Sequence, residues 1–247
     1  MKKIFILLMT LYISTQAEML YTFSNLSINY LDWNKQTHNS TTQEDFAYLN
    51  LEGGAGWDWG EFYGNASLEN PTKKYNTSSV DNQRYTGFID FDIKVKDGFY
   101  IHFQDFFLQS KNFYVNNFVV GAAYKYHNGS NFWIRPFLGA HLTNDTYFDG
   151  FNGFMTGVKF NYDFIMYEEK FNIFNWTEIE FARDKEFYED SGTPIGDSKC
   201  YGLNGDLNFW WNINENFSTG MHYRYAKYKL GFSAYQSAFI YTFKYNF

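Results

Sequence analysis

The chain has 247 residues, a formal net charge of −7 and a pI near 5.2, a balance that argues against a nucleic-acid binder, which would present a basic face. Its 29 Phe, 22 Tyr and 7 Trp make 23% of the residues aromatic, yet mean hydropathy is −0.46, and that pairing suits strands and turns rather than a helical soluble core. The lone Cys200 leaves no internal disulfide and no thiolate metal cluster.

Residues 1–17, MKKIFILLMTLYISTQA, read as a secretory signal peptide. Lys2 and Lys3 supply the positive end, Ile4 to Ile13 the apolar stretch, and Thr15 and Ala17 the small residues of a cleavage site after Ala17. The apolar stretch is too short to span a bilayer, which takes ~20 residues, and no cysteine follows the site for a lipid anchor. No later run reaches spanning length, so the mature chain, 18–247, can cross a membrane only as strands.

From Leu20 onward, segments of roughly ten alternating residues are separated by turn residues, beginning with FSNLSINYLDW at 23–33. In TGFIDFDIKV, Ile89, Phe91, Ile93 and Val95 alternate with Phe88, Asp90, Asp92 and Lys94. In NFWIRPFLGAH, Phe132, Ile134, Pro136, Leu138 and Ala140 alternate with Trp133, Arg135, Phe137, Gly139 and His141. In CYGLNGDLNFW, Tyr201, Leu203, Leu207 and Phe209 oppose Gly202, Asn204, Asp206 and Asn208. The last segment, SAFIYTFKYNF, places Phe239, Tyr241, Phe243, Tyr245 and Phe247 on one face.

A soluble sandwich also alternates, but its connections need not alternate in length. Here tight turns (WDWGE, KDG, HNGS, YEEK, NINEN) alternate with longer polar segments (34–43, 70–83, 143–150, 183–199). Aromatics such as Trp57, Trp59, Trp210 and Trp211 crowd the strand ends like an interfacial girdle. The expected fold is therefore an all-β, closed, antiparallel transmembrane β-barrel of about 12 strands, with short periplasmic turns and longer extracellular loops. Its last strand pairs with its first and turns its aromatic face to outer-membrane lipid, leaving no edge unpaired in hydrocarbon. The terminal Phe247 resembles the signal read by the bacterial barrel assembly machinery.

The other phase lines the lumen. In FNIFNWTEIEF, Asn172, Phe174, Trp176, Glu178 and Glu180 point inward while Ile173, Thr177, Ile179 and Phe181 face lipid. Tyr48, Glu52, Tyr63, Asn65, Lys159, Asp163, His222, Arg224 and Lys244 join the interior, so both signs of charge are interleaved with rings and amides. Small barrels fill their interiors and must pair buried charge, so these residues have a structural reading as ion pairs. They also suit a small solute with one flat apolar face and a polar edge, such as a nucleobase on a ribose. Mixed sign disfavours a plain anion or cation ring. The candidate stacking surfaces are Tyr63, Trp133, Phe137, Phe174 and Trp176; the candidate polar contacts are Arg135, Glu178, Glu180, Asp206 and Arg224.

Residues 43–71, QEDFAYLNLEGGAGWDWGEFYGNASLENP, carry an acidic and aromatic strand (Tyr48 to Glu52), a Trp- and Asp-containing turn (Trp57 to Trp59) and a Phe62-Tyr63-Gly64 strand. With the following hairpin and its run Phe103 to Phe107, this stretch resembles the nucleoside-specific channel-forming (Tsx-like) outer-membrane proteins. The resemblance implies a twelve-stranded monomeric barrel whose narrow lumen passes nucleosides by diffusion, with aromatic and ionisable lumen residues holding base and sugar. It implies no cofactor.

Enzyme chemistry finds little purchase. A barrel lipase needs His and Ser two apart at the lipid-facing rim, and the one match, His38 and Ser40, falls in a polar loop. His141 with Asp145 or Asp149 could be proposed for a rim protease. EGGAGW lacks the following Lys-Ser of a phosphate loop, so its glycines serve bending or close approach; the Asp90-Phe-Asp92 pair lacks the further ligands of a calcium loop. The reading is a channel for nucleosides or similar small polar solutes. The alternatives are a structural barrel or a surface receptor for phage or host acting through its loops, or a loop-sited hydrolase.

Overall fold

A computed structural model describes residues 18–76, 82–190 and 199–247. The leader (1–17) and parts of the loops 70–83 and 183–199 fall outside them. The first half of the wall is β1 (Met19–Trp33), β2 (Phe46–Trp57), β3 (Gly60–Glu69), β4 (Arg84–Lys96), β5 (Phe99–Gln109) and β6 (Tyr114–Tyr124). A two-residue β7 (Tyr126–His127) continues β6 beyond Lys125. The second half is β8 (Phe132–Asp145), β9 (Asp149–Met166), β10 (Glu169–Phe181), β11 (Tyr201–Asn212), β12 (Phe217–Lys227) and β13 (Gln236–Asn246). Each strand is antiparallel to its neighbours in chain order, β6 pairs β8, and β1 pairs β13, giving a closed 12-stranded barrel.

Closure follows from sequence alternation. The closing seam sets Asn25 opposite Asn246 and Trp33 opposite Ala238. In this register Leu26, Ile28 and Tyr30 of β1 and Phe239, Tyr241, Phe243 and Tyr245 of β13 are exposed outside, while Asn25, Ser27, Asn29 and Thr242 are buried inside. Because the side-chain period is two, one register places every strand's apolar set on the lipid side. The barrel has no edge there to leave backbone groups unpaired.

Connections at 58–59, 97–98, 128–131, 167–168 and 213–216 form a short-turn rim, where both ends of the described chain also lie. Tyr167 (φ 53°) and Glu168 (φ 68°) take the two left-handed positions of a type I′ hairpin turn. On the other rim, Asn34 caps a six-residue helix, α1 (Lys35–Ser40), by accepting from the Thr37 amide at 2.9 Å. The expected long connection at 143–150 is shorter than its composition suggests. Strand pairing runs on to Asn144 opposite Asp149, and Asp145 Oδ1 accepts from the amides of Tyr147 (2.6 Å) and Phe148 (2.8 Å), closing a tight turn.

Two lipid-side features needed the structure. Trp57 and Trp59 stack at 5.5 Å and Trp211 faces outward, donating to Glu169 at 3.1 Å, but Trp210 points into the lumen and does not belong to the girdle. Adjacent strand residues must face opposite ways, so Trp210 and Trp211 could not both lie in it. On the outer surface the polar Asn175 and Thr177 are covered by Tyr225, whose hydroxyl lies 2.5 Å from Thr177 Oγ1 and accepts from Asn175 Nδ2 at 3.4 Å. Gly205 makes this possible: a Cβ there would lie 2.5 Å from the Tyr225 ring.

Candidate functional site in the lumen

The lumen is filled unevenly. Along β4, β5, β6, β8 and β9, inward residues are packed dry: Asp90, Asp92, His102, Val119, Arg135, Phe137 and Met155 are buried. Along β1–β3 and β10–β13 the inward Tyr48, Glu52, Tyr63, Trp176, Trp210, His222, Arg224 and Lys244 are partly buried, among inward Asn25, Ser27, Asn29, Asp206, Asn208 and Thr242 that are buried.

Two constructions account for the dry side. Arg135 lies between Asp90 and Asp92, Lys159 adds its ammonium to Asp90, and His102 Nδ1 sits 2.8 Å from Asp92 and 3.6 Å from Asp90. These five side chains come from four strands, and their mutual pairing is what permits ionised groups there. Asp90, Asp92 and His102 bring three ligand-capable atoms within 4.8 Å, but Arg135 and Lys159 already hold the carboxylates, so the group reads as an ion-pair block. Above it, Gln104 Nε2 on β5 donates to Glu178 on β10 at 2.7 Å. That bond is a chord across the lumen, and Val119, Ala123, Phe137 and Met155 pack on the side that it cuts off.

The partly buried side carries rings beside cations. Trp176, Asp206 and Arg224 stand directly opposite one another on β10, β11 and β12, and the row continues through Lys159 to Arg135 on β8. The Arg224 guanidinium lies 4.8 Å from the Trp176 ring centroid, within cation–π range. It donates one long 3.4 Å hydrogen bond to the Gly205 carbonyl, and among the described residues no carboxylate lies within 4.0 Å of it. Asp206 Oδ2 is 3.4 Å from His222 Nδ1, while Asp206 Oδ1 and Asn204 Oδ1 are buried without a partner. Spare donors, spare acceptors and one ring therefore share a wall. Toward the short-turn rim, Lys244 Nζ lies 3.8 Å over the Trp210 ring, and Glu52 accepts from Asn25 (2.8 Å) and Tyr63 (2.9 Å). Gly54 and Gly56 let Phe23 and Tyr21 lie flat against this wall; a Cβ on Gly54 would fall 2.7 Å from the Phe23 ring.

All ten sequence-selected residues face inward, in different settings. Trp176, Asp206 and Arg224 form the row just described. Trp133 and Phe174 pack at 6.2 Å, with Lys125 5.3 Å from the Trp133 ring. Tyr63 is tied to Glu52. Arg135, Glu178 and Glu180 are engaged in internal pairs, Glu180 with Arg183 at 2.6 Å and with Lys229. Phe137 differs from expectation: it is 4% exposed, lies 4.5 Å from the His102 ring and offers no open face for stacking. Trp210, Lys244 and His222 belong with this partly buried wall; strict parity from Asp206 would have placed Trp210 there.

The enzyme readings find no matching geometry. His38 Nδ1 lies 3.1 Å from the Gln43 carbonyl, and Ser40 donates to the Gln36 carbonyl at 2.7 Å. His141 is fully buried against Asn117 at 3.1 Å, Asp145 caps its turn, and Asp149 accepts from Asn144 at 2.8 Å.

Among solved structures, the NanC porin superposes with a TM-score of 0.53 at 7% identity, covering 89% of this chain and 98% of that one. The KdgM porin gives 0.48 at 8% identity, covering 90% and 99%. At 7% identity the NanC likeness concerns the fold alone, a closed antiparallel barrel. The sequence pattern of the nucleoside-specific channel-forming protein Tsx matches residues 28–247, nearly the whole barrel. A closed barrel with an inward-facing set of rings and charges, and this match over nearly its whole length, make the chain an outer-membrane solute channel of the Tsx family.

Proposed function

We propose that this channel passes nucleosides by diffusion, holding them in transit against the Trp176–Asp206–Arg224 row. The observation that carries the reading is the set of unused hydrogen-bonding groups beside a ring: Asp206 Oδ1, Asn204 Oδ1 and the Arg224 N–H groups next to Trp176. A nucleobase stacks on an aromatic face and presents donors and acceptors at its rim, and a ribose diol suits a carboxylate oxygen. Tyr63, Trp133, Phe174 and Trp210 offer further ring surface along the lumen. A transport site must release its solute, so an affinity of about millimolar, near −4 kcal/mol, fits. In this reading the leader is removed after Ala17, the long-loop rim faces outward, one chain suffices for transport, and Phe247 is read by the barrel assembly machinery. Transport needs no cofactor.

The test is single-channel conductance of the refolded protein in a planar bilayer, titrated with thymidine, adenosine, glucose and an amino acid. Saturable block by the nucleosides alone is expected. Openings indifferent to all four solutes would refute the solute assignment and move the function to the loops.

A further inference from the structure

The connection between β12 and β13, residues 228–235, folds inward over the lumen. Leu230 packs on a cluster of Leu31, Trp33, Ala238 and Ile240 that also includes Phe46 and Tyr48, all lumen-phase positions of β1, β2 and β13. Its neighbour Lys229 reaches the other way and places its ammonium on Glu180 of β10. Arg183, beyond the end of β10, donates to the Tyr228 carbonyl at 3.0 Å. Around the barrel the order runs β2, β1, β13, β12, β11, β10. Two adjacent residues of one loop thus touch walls three to four steps apart out of twelve, and Gln43, just before β2, donates to the Leu230 carbonyl at 3.5 Å.

The backbone is bent to make this reach. Tyr228 (φ 49°), Leu230 (φ 61°) and Gly231 (φ 80°) are left-handed, a conformation that costs a residue with a Cβ about 1–2 kcal/mol. Strain of this kind persists where surrounding contacts over-determine it. Here the contacts are the Leu230 packing, the Lys229–Glu180 pair and Gln236 Nε2 donating to the Lys229 carbonyl at 2.8 Å.

We propose that residues 228–231 form a fixed bar across the long-loop mouth, and that Lys229 and Leu230 set the size and polarity limit of the solutes admitted. A solute entering past the bar meets an apolar wall on the Leu230 side and an ammonium–carboxylate pair on the Lys229 side. That combination admits a small molecule with one apolar face and a polar edge and retards both bulky sugars and wholly apolar solutes. The inference rests on the channel function but not on the nucleoside assignment.

The experiment replaces residues 229–234 by two glycines. It reads single-channel conductance together with swelling of proteoliposomes in ribose, sucrose and raffinose. The barrel's heat-dependent shift on gel electrophoresis reports folding. A bar at the narrowest section predicts a rise in conductance of about twofold or more, with raffinose entering the variant but not the parent. A folded variant with unchanged conductance and an unchanged sugar limit would overturn the proposal. Should the replacement not fold, Lys229→Met combined with Leu230→Gly carries the same test: an intermediate conductance rise supports the bar, and none overturns it. Both readouts need no nucleoside, so a widened variant without nucleoside block would count only against the solute assignment.

Discussion

Arg135→Met is the perturbation with the largest expected effect on the barrel. The Arg135 side chain is 8% exposed, Asp90 2% and Asp92 1%. After the substitution Asp90 keeps Lys159, but Asp92 loses its one permanent cation and is left with His102 at 2.8 Å. Breaking a buried pair on one side leaves an uncompensated charge and costs about 3–5 kcal/mol. The comparison is Arg84→Met at the rim, where Glu69 lies 2.7 Å away and the side chains are 25% and 15% exposed; solvent screens that pair, and about 1 kcal/mol or less is expected. Adding Asp92→Asn to Arg135→Met removes the orphaned charge and should recover about 2 kcal/mol. The assay is equilibrium unfolding in denaturant from lipid vesicles, followed by tryptophan fluorescence, on the two single variants and the double. A cost for Arg135→Met no larger than for Arg84→Met, or no recovery in the double variant, would refute the picture of a desolvated block.

Tyr225→Phe removes the hydroxyl 2.5 Å from Thr177 Oγ1 on the lipid face, while Thr177 keeps Asn175 Oδ1 at 3.1 Å and Asn175 keeps the Asp206 carbonyl at 2.9 Å; a loss of about 1 kcal/mol is expected in the same unfolding assay, and a loss above about 3 kcal/mol would show that the pair depends on Tyr225. Arg224→Gln keeps amide donors but removes the charge held over Trp176. Nucleoside block should weaken by about tenfold, as befits a cation–π and hydrogen-bonding contact of 1–2 kcal/mol. Less stability should be lost than with Arg135→Met, because no carboxylate lies within 4.0 Å of this guanidinium among the described residues; a folding defect equal to that of Arg135→Met would place Arg224 with the structural pairs instead.

Much of this architecture was written in local sequence. Period-two alternation sorted residues such as Glu178 and Ile179 into lumen and lipid sets, because successive side chains on a strand face opposite ways. The aromatic face of the last strand and the polar phase of the first anticipated the closing seam, since closure is the one way to satisfy strand edges in hydrocarbon. Trp210 was misassigned where a compositional signal, tryptophans near strand ends, was followed in place of parity. The 143–150 turn was overestimated because polar residues there still pair as strand. What the sequence could not convey is which inward residues meet across the barrel. Gln104 finds Glu178 at a separation of 74 residues, and Arg135 finds Asp90 at 45. These partners are fixed by the stagger of strands around a closed cylinder, a property of the whole ring that no strand encodes alone. The same stagger buries Phe137 while leaving Trp176 partly exposed, and the barrel sets Lys229 on β10 and Leu230 on the β1–β13 seam. Facing was decided residue by residue; occupancy of the lumen was decided by the barrel.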